Sequence, residues 1–383
     1  MLSLPPWYQT ILESVLGLSV DDSRQVQRLS AGVSELSKRF TQRENELSDD
    51  KYTASEDLRS AYLVYYSTVN LLKLYSPLSE LFPTGFFKRP ALGVLDLGSG
   101  PGTGLLGMAG FLDSHGFRGT LEYTAVDHEL GNLRSVEKIA GNIKPNVEFT
   151  VEVEIHCCDV RLNDAQFGSG YDLVLAMNSF NEIAREESIR IIHDAIAPAV
   201  SSTGFLLIVE PALRDTSREL LRLRDGLVAS GWTIFSPCTR QGLCPALEKE
   251  TDWCHSSKAW ERPAFIERID KAAGLIKEEL KYSYILANRH GVGAKHQCPD
   301  SDDLYRAVSE RFDEKGRTRI ILCGEIGRNF WMRNKRDKTA GNRVFGSITR
   351  YDLLAISGAE IREHDVLVRP DTEVQIHDFL RGD

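Results

Sequence analysis

From Leu92 onward, short apolar runs alternate with longer amphipathic segments. Segments 130–140 and 187–199 are amphipathic and long enough to be crossover helices. Nearly continuous apolar strands that alternate with helices are typical of a parallel sheet covered on both faces. The runs that predict strands are residues 92–97, 121–126, 147–156, 171–177 and 205–209. The pattern therefore predicts a doubly wound α/β domain over residues 86–235, to which residues 282–287 add a late strand.

The regions on either side of this domain follow other patterns. Residues 1–85 predict helices, because apolar residues recur every three or four positions between Ser55 and Leu81. Thr53 and Glu56 have the spacing of a capping box just ahead of that run. Residues 236–260 form a polar, cysteine-rich insertion, and 261–297 return to the core through a helix and a strand. Residues 298–383 predict a small, barrel-like β appendage with strands at 319–323, 343–348 and 366–368.

Composition adds limits on location and partners. The chain has 383 residues, of which 42% are hydrophobic, and its 46 basic and 55 acidic residues give a net charge of −9. Residues 311–350 contain eleven Lys and Arg against four Asp and Glu, a basic tract that suggests nucleic-acid binding or simply a solvated face. We expect no membrane span and no secretory signal, and therefore a cytoplasmic protein. In that compartment the seven cysteines are expected to be metal ligands or reactive thiols rather than disulfides to this chain or to a partner.

A glycine-rich loop follows the first predicted strand. Asp96 lies near the end of that strand, and Gly98, Gly100 and Gly102 alternate before a helix begins near Thr103. Glycines allow a tight turn and a close approach of the backbone to a ligand. Dinucleotide enzymes use a related loop, but here the glycines alternate and a carboxylate precedes the first by two positions. Both details favour S-adenosylmethionine, with Asp96 near its methionine end.

Two later strands also end in carboxylates. Asp127 ends the second strand and suits the two ribose hydroxyls of the cofactor, and Asp159 follows the third strand, where it could meet the adenine amino group. The fourth strand leads into Asn178-Ser-Phe-Asn, which lacks the paired prolines typical of enzymes that methylate base nitrogens. No catalytic acid or base is identifiable from spacing.

The insertion contains three close cysteines. Cys238, Cys244 and Cys254 fall within seventeen residues, and Cys298 and Cys323 follow. Thiols in a polar, irregular loop suit metal ligation better than core packing. Structural zinc usually recruits paired Cys-x-x-Cys ligands, whereas iron–sulfur clusters accept wider spacings, so both remain open. A further alternative is that Pro237-Cys238 serves as the nucleophile of a cytosine-5 RNA methyltransferase.

Several segments together resemble a known family. They are AYLVYYSTVNLLK at 61–73, LDLGSGPGTG at 95–104, NEI at 181–183, VEPA at 209–212, the PC…CP…WCH pattern of the insertion, and KYSYILANRHG at 281–291. The chain is similar to the methyltransferase-like ribosome small-subunit assembly family, which includes mitochondrial methyltransferase-like protein seventeen, a yeast mitochondrial small-subunit protein of the Rsm series, and bacterial homologues.

This resemblance implies a class I, Rossmann-like methyltransferase fold and a partner in small ribosomal subunit RNA. It implies a four-iron four-sulfur cluster on Cys238, Cys244, Cys254 and Cys323, with Cys298 as the alternative fourth ligand. A mitochondrial matrix location would follow in a eukaryote. The alternatives are a small-molecule or protein methyltransferase with a structural zinc site, and an assembly factor without catalytic activity.

Overall fold

The computed structural model describes residues 1–42, 55–161, 167–183, 185–299, 301 and 303–379. These residues form an N-terminal helical region, a central mixed sheet and a second, C-terminal sheet. No helix in this part of the chain is both long and apolar enough to cross a membrane.

The N-terminal region is helical, as its spacing predicts. Its helices are α1 (Tyr8–Leu16), α2 (Ser23–Gln42), α3 (Glu56–Ala61), α4 (Thr68–Leu71) and α5 (Tyr75–Ser79), with a π-helical turn at Tyr62–Ser67 and a 3₁₀ turn at Leu72–Leu74 between the last three. The predicted capping residue Thr53 lies outside the described residues. Ser55 caps α3 instead, since its side chain accepts a hydrogen bond from the backbone nitrogen of Leu58 at 3.1 Å.

The central sheet confirms the predicted doubly wound domain. Its strands are β1 (Ala91–Leu97), β2 (Thr120–Asp127), β3 (Thr150–Cys157), β4 (Tyr171–Met177), β5 (Val200–Pro211), β6 (Thr233–Ser236), β7 (Ser256–Ala259) and β8 (Glu279–Asn288). Their order is β3-β2-β1-β4-β5-β8-β6, with β7 also paired to β8. β8 runs antiparallel to both β5 and β6, so the sheet is mixed. This is a class I methyltransferase-like arrangement.

Helices cover both faces of this sheet, which explains why its central strands β1 and β4 are largely apolar and buried. The core helices are α6 (Thr103–Ser114), α7 (Leu130–Ile143), α8 (Arg185–Ile191), α9 (Ala197–Ala199), α10 (Arg214–Ala229) and α11 (Ala264–Ala273). One face packs against α6, α7, α11 and the N-terminal helices, and the other packs against α8 and α10. The carboxyl ends of β1, β2 and β4 meet at one edge, where the glycine loop lies.

The C-terminal sheet is the predicted appendage, with one element corrected. Its strands are β9 (Leu304–Ala307), β10 (Phe312–Glu314), β11 (Arg317–Gly324), β12 (Gly327–Asn334), β13 (Leu353–Ser357), β14 (Glu360–Ile361), β15 (Val366–Leu367) and β16 (Glu373–His377). The strand predicted at 343–348 is wrong, because Arg343–Gly346 forms a 3₁₀ turn. The buried amide of Asn342 donates to the carbonyls of Asp337 and Arg369, which fixes the turn, and Phe345 fills the core beneath it.

A buried ion pair joins the three parts of the molecule. Arg306 of β9 binds Glu80, which follows α5, with Nη2 to Oε2 at 2.8 Å and Nη1 to Oε1 at 3.3 Å. The same guanidinium donates to the backbone carbonyls of Pro237 at 2.8 Å and Tyr351 at 2.9 Å. Tyr284 of β8 donates its hydroxyl to Glu80 at 2.6 Å. Loss of one member of such a pair typically costs about 3–5 kcal/mol, because the other charge stays buried.

Candidate functional site

The glycine loop turns sharply at the end of β1. Gly98 and Ser99 both donate their backbone N–H groups to the carbonyl of Val126 at 2.9 Å, which ties the loop to β2. Gly98, Gly100 and Gly102 have φ values of +71°, +53° and +109°, in the region that favours glycine. This geometry accounts for the alternation of glycines in the sequence.

The three glycines have different neighbours. A Cβ on Gly98 would lie 2.8 Å from the Cβ of Ser179, and a Cβ on Gly102 would lie 2.9 Å from Ile139 of α7. A Cβ on Gly100 would meet no described atom within 4 Å. Gly98 and Gly102 therefore allow the protein to pack against itself, whereas the backbone at Gly100 faces open space that a ligand can approach.

Asp96 is almost fully buried beneath this loop, with 1% of its surface exposed. Tyr123 of β2 donates its hydroxyl to Oδ2, and Gly104 at the start of α6 leaves room for the carboxylate. Within the described residues, Oδ1 has no hydrogen-bond partner. Burial raises the pKa of Asp96 to about 7, the nearby charge of Asp127 adds to the rise, and the Tyr123 hydrogen bond opposes it.

Asp127 clamps the loop to the next helix. Its Oδ2 accepts a hydrogen bond from the backbone of Gly100 at 2.9 Å, and its Oδ1 accepts from the backbone of Glu129 at 2.8 Å and from Asn132 at 3.1 Å. The predicted ribose contact thus involves a carboxylate that already orders the loop. Each carboxylate oxygen can accept more than one hydrogen bond, so both roles are compatible.

Asp159 lies farther from the loop and is paired. Its two oxygens face Nε and Nη2 of Arg161 in a fork, at distances between 2.6 and 3.0 Å. These hydrogen bonds lower the pKa of Asp159. An adenine contact at this carboxylate would share it with a guanidinium, which makes Asp159 a weaker candidate than Asp96 or Asp127.

The turn after β4 contributes residues that spacing alone did not single out. Asn178 has a φ of +55°, and its Oδ1 is buried without a hydrogen-bond partner among the described residues. Glu210 at the end of β5 accepts hydrogen bonds from the backbones of Phe180 at 3.0 Å and Asn181 at 3.3 Å, which fixes the turn. An Asn directly after a buried strand, where a left-handed residue is needed, was the available signal.

The cysteine loop brings distant thiols together. Cys238, Cys244 and Cys254 lie between β6 and β7, and Cys323 reaches them from β11 of the other sheet. Burial raises the pKa of Cys244 to about 12 and of Cys254 to about 11, and the charges of neighbouring thiols in this set add to both shifts. The same two causes raise the pKa of Cys323. Thr239 donates its hydroxyl to the backbone carbonyl of Cys323 at 3.4 Å, so this part of β11 lies against the cysteine loop.

Cys298 lies in a different environment. It is buried beside Ala294, Leu304 and Leu353, in a small hydrophobic cluster. Burial is the main reason that its pKa rises to about 11, and the further influences on it come from Arg306 and Glu80. Its surroundings are those of a core thiol.

Two side chains of α10 organise the cysteine loop. Arg224, which is 1% exposed, donates to the backbone carbonyls of Arg240 and Gly242 and pairs with Asp225 at 2.7 Å. Asp225 in turn accepts the backbone N–H of Cys244 at 3.1 Å. These bonds satisfy polar groups that a loop without regular secondary structure would otherwise bury unpaired.

The end of the loop is held in the same way. Arg218 donates to the carbonyls of Ala246 at 3.2 Å, Lys249 at 2.8 Å and Asp252 at 2.6 Å. Arg328 of β12 forms an ion pair with the carboxylate of Asp252. Helix α10 and the C-terminal sheet therefore both contribute cations that contact the cysteine loop.

Among the described residues, no group of three or more His, Cys, Asp and Glu side chains has the geometry to hold a metal ion. Tyr351, a bulky residue with a φ of +70°, donates its hydroxyl to the sulfur of Cys254 at 3.2 Å. The appendage thus supplies both a thiol and a hydrogen bond to this centre.

The basic tract divides into buried and exposed parts. Arg333 is 5% exposed and donates to the carbonyl of Asn342, and Arg328 faces the cysteine loop, so neither lies on a free basic surface. Both arginines belong to the basic tract 311–350, from which the sequence suggested nucleic-acid binding, and their positions do not support that role for them. Trp331 is a core residue at 1% exposure, whereas Phe330 is 41% exposed. The exposed cations of the tract are Lys315, Lys335, Arg336, Lys338 and Arg343.

A family model for the mitochondrial small ribosomal subunit protein Rsm22 matches residues 88–330 of the chain. The chain belongs to the Rsm22 family. The match includes the glycine loop and all the cysteines of the loop together with Cys323. No curated protein sequence matches the chain.

Solved structures similar to this Rsm22-family chain are methyltransferases. Magnesium protoporphyrin IX methyltransferase from Synechocystis, with bound S-adenosylmethionine, is 11% identical over 62% of this chain and 92% of its own, with a TM-score of 0.36. An O-methyltransferase family protein from Burkholderia thailandensis is 16% identical over 72% and 75%, with a TM-score of 0.39. A putative RNA methyltransferase from Pyrococcus horikoshii is 14% identical over 57% and 84%, with a TM-score of 0.31. The likeness concerns the fold alone.

The burial of Asp96 predicts a pH dependence. Its folded-state pKa of about 7 lies above the value near 4 of an unfolded aspartate, so the folded state binds the proton more tightly. Stability contributed by this group is present below about pH 4 and is lost as pH rises towards 7. Asp96→Asn should lack this loss. Urea denaturation of both proteins without ligand, between pH 4.5 and 7.5, should show the wild type losing up to about 1.4 kcal/mol per pH unit relative to the variant. Parallel curves would contradict the assignment.

Proposed function

We propose that this chain binds S-adenosylmethionine at the glycine loop, carries a four-iron four-sulfur cluster on four cysteines, and acts on small ribosomal subunit RNA. Membership of the Rsm22 family, through the match over residues 88–330, is the observation that carries this proposal. The activity that we propose is transfer of a methyl group from S-adenosylmethionine, bound at the glycine loop, to RNA. A sulfonium is a good leaving group, so an aligned acceptor needs little acid–base assistance. A protein that binds the cofactor and RNA without methyl transfer is the alternative.

The glycine loop suits a cationic cofactor. The unpartnered oxygen of Asp96 is a buried acceptor beneath the loop, and the backbone at Gly100 is open to approach. Asn178 adds a second buried acceptor on the neighbouring turn. Buried acceptors normally have partners, and the amino and sulfonium groups of S-adenosylmethionine would supply positive charge here. We assign the ribose hydroxyls of the cofactor to Asp127 and its adenine amino group to Asp159.

A pair of glycine substitutions tests the cofactor site. Gly100→Ala would add a methyl group to the surface that faces the ligand, and S-adenosylmethionine affinity should fall by about tenfold or more, which is about 1.4 kcal/mol. Gly116→Ala is the matched control, because Gly116 also has a positive φ of +68° and open space around its missing Cβ. Titration calorimetry should show normal affinity for the control. Equal affinity of both variants, or no binding by the wild type, would count against the site.

The cysteine centre suits a cluster better than a single ion. A cluster holds its thiols apart, because iron and sulfide atoms lie between them, whereas a single zinc ion would draw them to one point. The electrostatic interaction of Cys323 with Cys238, Cys244 and Cys254 supports a site shared by all four. The surrounding arginines would offset the negative charge of the ligands. A cluster would connect the cysteine loop to Cys323 through iron–sulfur bonds. It would also be able to accept or donate one electron.

Serine substitutions test the four ligands. Cys→Ser at Cys238, Cys244, Cys254 or Cys323 should reduce the iron and acid-labile sulfide bound per chain and the visible absorption of anaerobically purified protein. Cys298→Ser is the matched control and should retain the iron, because Cys298 packs in a hydrophobic cluster. Zinc in place of iron would overturn the cluster. If Cys298→Ser loses the iron and Cys323→Ser keeps it, the fourth ligand is Cys298 rather than Cys323.

The RNA surface of the appendage is proposed to be its exposed basic turn. Lys335, Arg336 and Lys338 are exposed, and Phe330 lies on the adjoining strand. Cations on an exposed turn can reach phosphates, and each phosphate contact releases counterions. The buried Arg333 supports this turn from beneath through Asn342 and therefore belongs to its structure.

Neutralising this turn should weaken RNA binding. Replacement of Lys335, Arg336 and Lys338 by Gln should lower affinity for small-subunit RNA and flatten the logarithmic salt dependence by about 0.7–0.9 per lost phosphate contact. The control replaces the exposed Arg134, Lys138 and Lys144 of the α7 region by Gln, an equal change of charge. Filter binding over a range of salt concentrations measures both. If the two variants behave alike, the turn is a solvated face.

A further inference from the structure

A cleft opens at the edge of the central sheet opposite the glycine loop. It has a volume of about 610 Å³ and lies where β1, β2 and β3 begin, beside the end of α6. Pro90, Thr120 and Thr150 mark those strand starts. Clefts of about 300–1,000 Å³ are the usual size for binding a small molecule or one part of a larger ligand. None of the functions proposed above uses this cleft.

Aromatic rings form one wall of the cleft. Phe82, Phe87 and His115 are each half-buried, so ring surface remains accessible. Phe82 lies with its ring centroid 5.3 Å from Phe87 and 4.9 Å from His115, and the buried Phe111 supports all three rings from behind. A supported, partly exposed group of rings is a platform on which a planar base can stack.

Positive charge lines the rim. The described lining residues include Lys88, Arg89 and Arg118 but no Asp or Glu, on a chain whose net charge is −9. Lys88 is exposed and makes no ion pair with any carboxylate in the described part of the chain, whereas Arg89 is paired with the carboxylate of Asp172. Arg118 pairs with Glu148 at 2.6 Å, but the two side chains are 60% and 74% exposed, so this pair can exchange for a phosphate at little cost.

The end of α6 does not oppose an anion here. The carbonyl of Phe111 accepts hydrogen bonds from the backbone and the Nδ1 of His115, and the carbonyl of Leu112 accepts from the backbone of Phe117. Gly116, with a φ of +68°, completes this turn and donates to Asp113. The last carbonyls of the helix are therefore satisfied within the protein.

We propose that this cleft binds an unpaired nucleotide of single-stranded RNA, with the base against Phe82, Phe87 and His115 and the phosphates near Lys88 and Arg118. The combination of stacking surface and cationic rim is the one that recognises single-stranded nucleic acid. The proposal deepens the RNA-binding function and rests on it. It places a second RNA contact on the methyltransferase-like domain itself, at the edge away from the cofactor loop.

Photo-crosslinking locates the contact directly. A tetranucleotide that contains 4-thiouridine is irradiated with the full-length protein, and the modified peptides are identified by mass spectrometry. The expected crosslinks fall within residues 82–89 or 115–118. Crosslinks confined to the appendage would overturn the cleft while leaving RNA binding intact. If the wild type binds neither the tetranucleotide nor small-subunit RNA, the proposed function itself fails.

Two variants separate stacking from charge. Phe87→Leu keeps an apolar side chain and should weaken tetranucleotide binding about fivefold or more with an unchanged salt slope. Lys88→Glu with Arg118→Glu should weaken it further and flatten the slope by about 0.7 per lost contact, unlike the control Lys138→Glu with Lys144→Glu. An acidic hexapeptide of glutamate is the competitor. If the glutamate peptide competes as well as RNA does, the cleft recognises charge alone. If the cleft variants bind the tetranucleotide as the control does, the cleft is not an RNA site.

Discussion

Buried arginines that donate to backbone carbonyls are the interaction on which the candidate metal centre depends. The cysteine loop has little regular secondary structure, yet it lies between two sheets, where unpaired carbonyls would be costly. Arg218 and Arg224 of α10 satisfy carbonyls along the loop, and Arg306 satisfies that of Pro237 at its start. A guanidinium offers several donors in a fixed plane, which allows one side chain to hold several turns of chain. The thiols are therefore positioned by the protein, whether or not a metal is bound.

The same arginines also affect the electrostatics of the region that contains the thiols. Each guanidinium brings a positive charge into a region that also contains the thiols, so the cost of burying either is reduced by the other. Burial would lower the pKa of Arg224, but its interactions with Cys238, Asp225 and Cys244 raise that pKa above its ordinary value. The cluster proposed above would add negative charge to this region, and the arginines offer compensation without any exposed salt bridge.

The sequence predicted the core well because burial on both sides leaves a simple pattern. Apolar runs identified the central strands, and the Gly-x-Gly-x-Gly spacing identified a loop whose glycines have positive φ. The prediction failed where one residue has two possible uses. Arg333 looked like a surface cation but is buried against Asn342, and 343–348 looked like a strand because Val344, Phe345 and Ile348 are apolar. Such distinctions depend on contacts between residues far apart in space or on a single buried amide, which local patterns do not contain.

The topology of the central sheet determines which residues lie at each of its two edges. Parallel strands bring their carboxyl ends together, so the glycine loop, Asp96 and Asp127 share one edge, and ligands of such sheets bind there. The amino ends form the opposite edge, where the aromatic and cationic residues around Phe87 and Lys88 meet. A large RNA held at the amino edge and at the exposed turn around Arg336 would leave the cofactor loop accessible. If RNA and cofactor bind at separate edges as proposed, RNA affinity and cofactor affinity would vary independently, which a single shared surface would not permit.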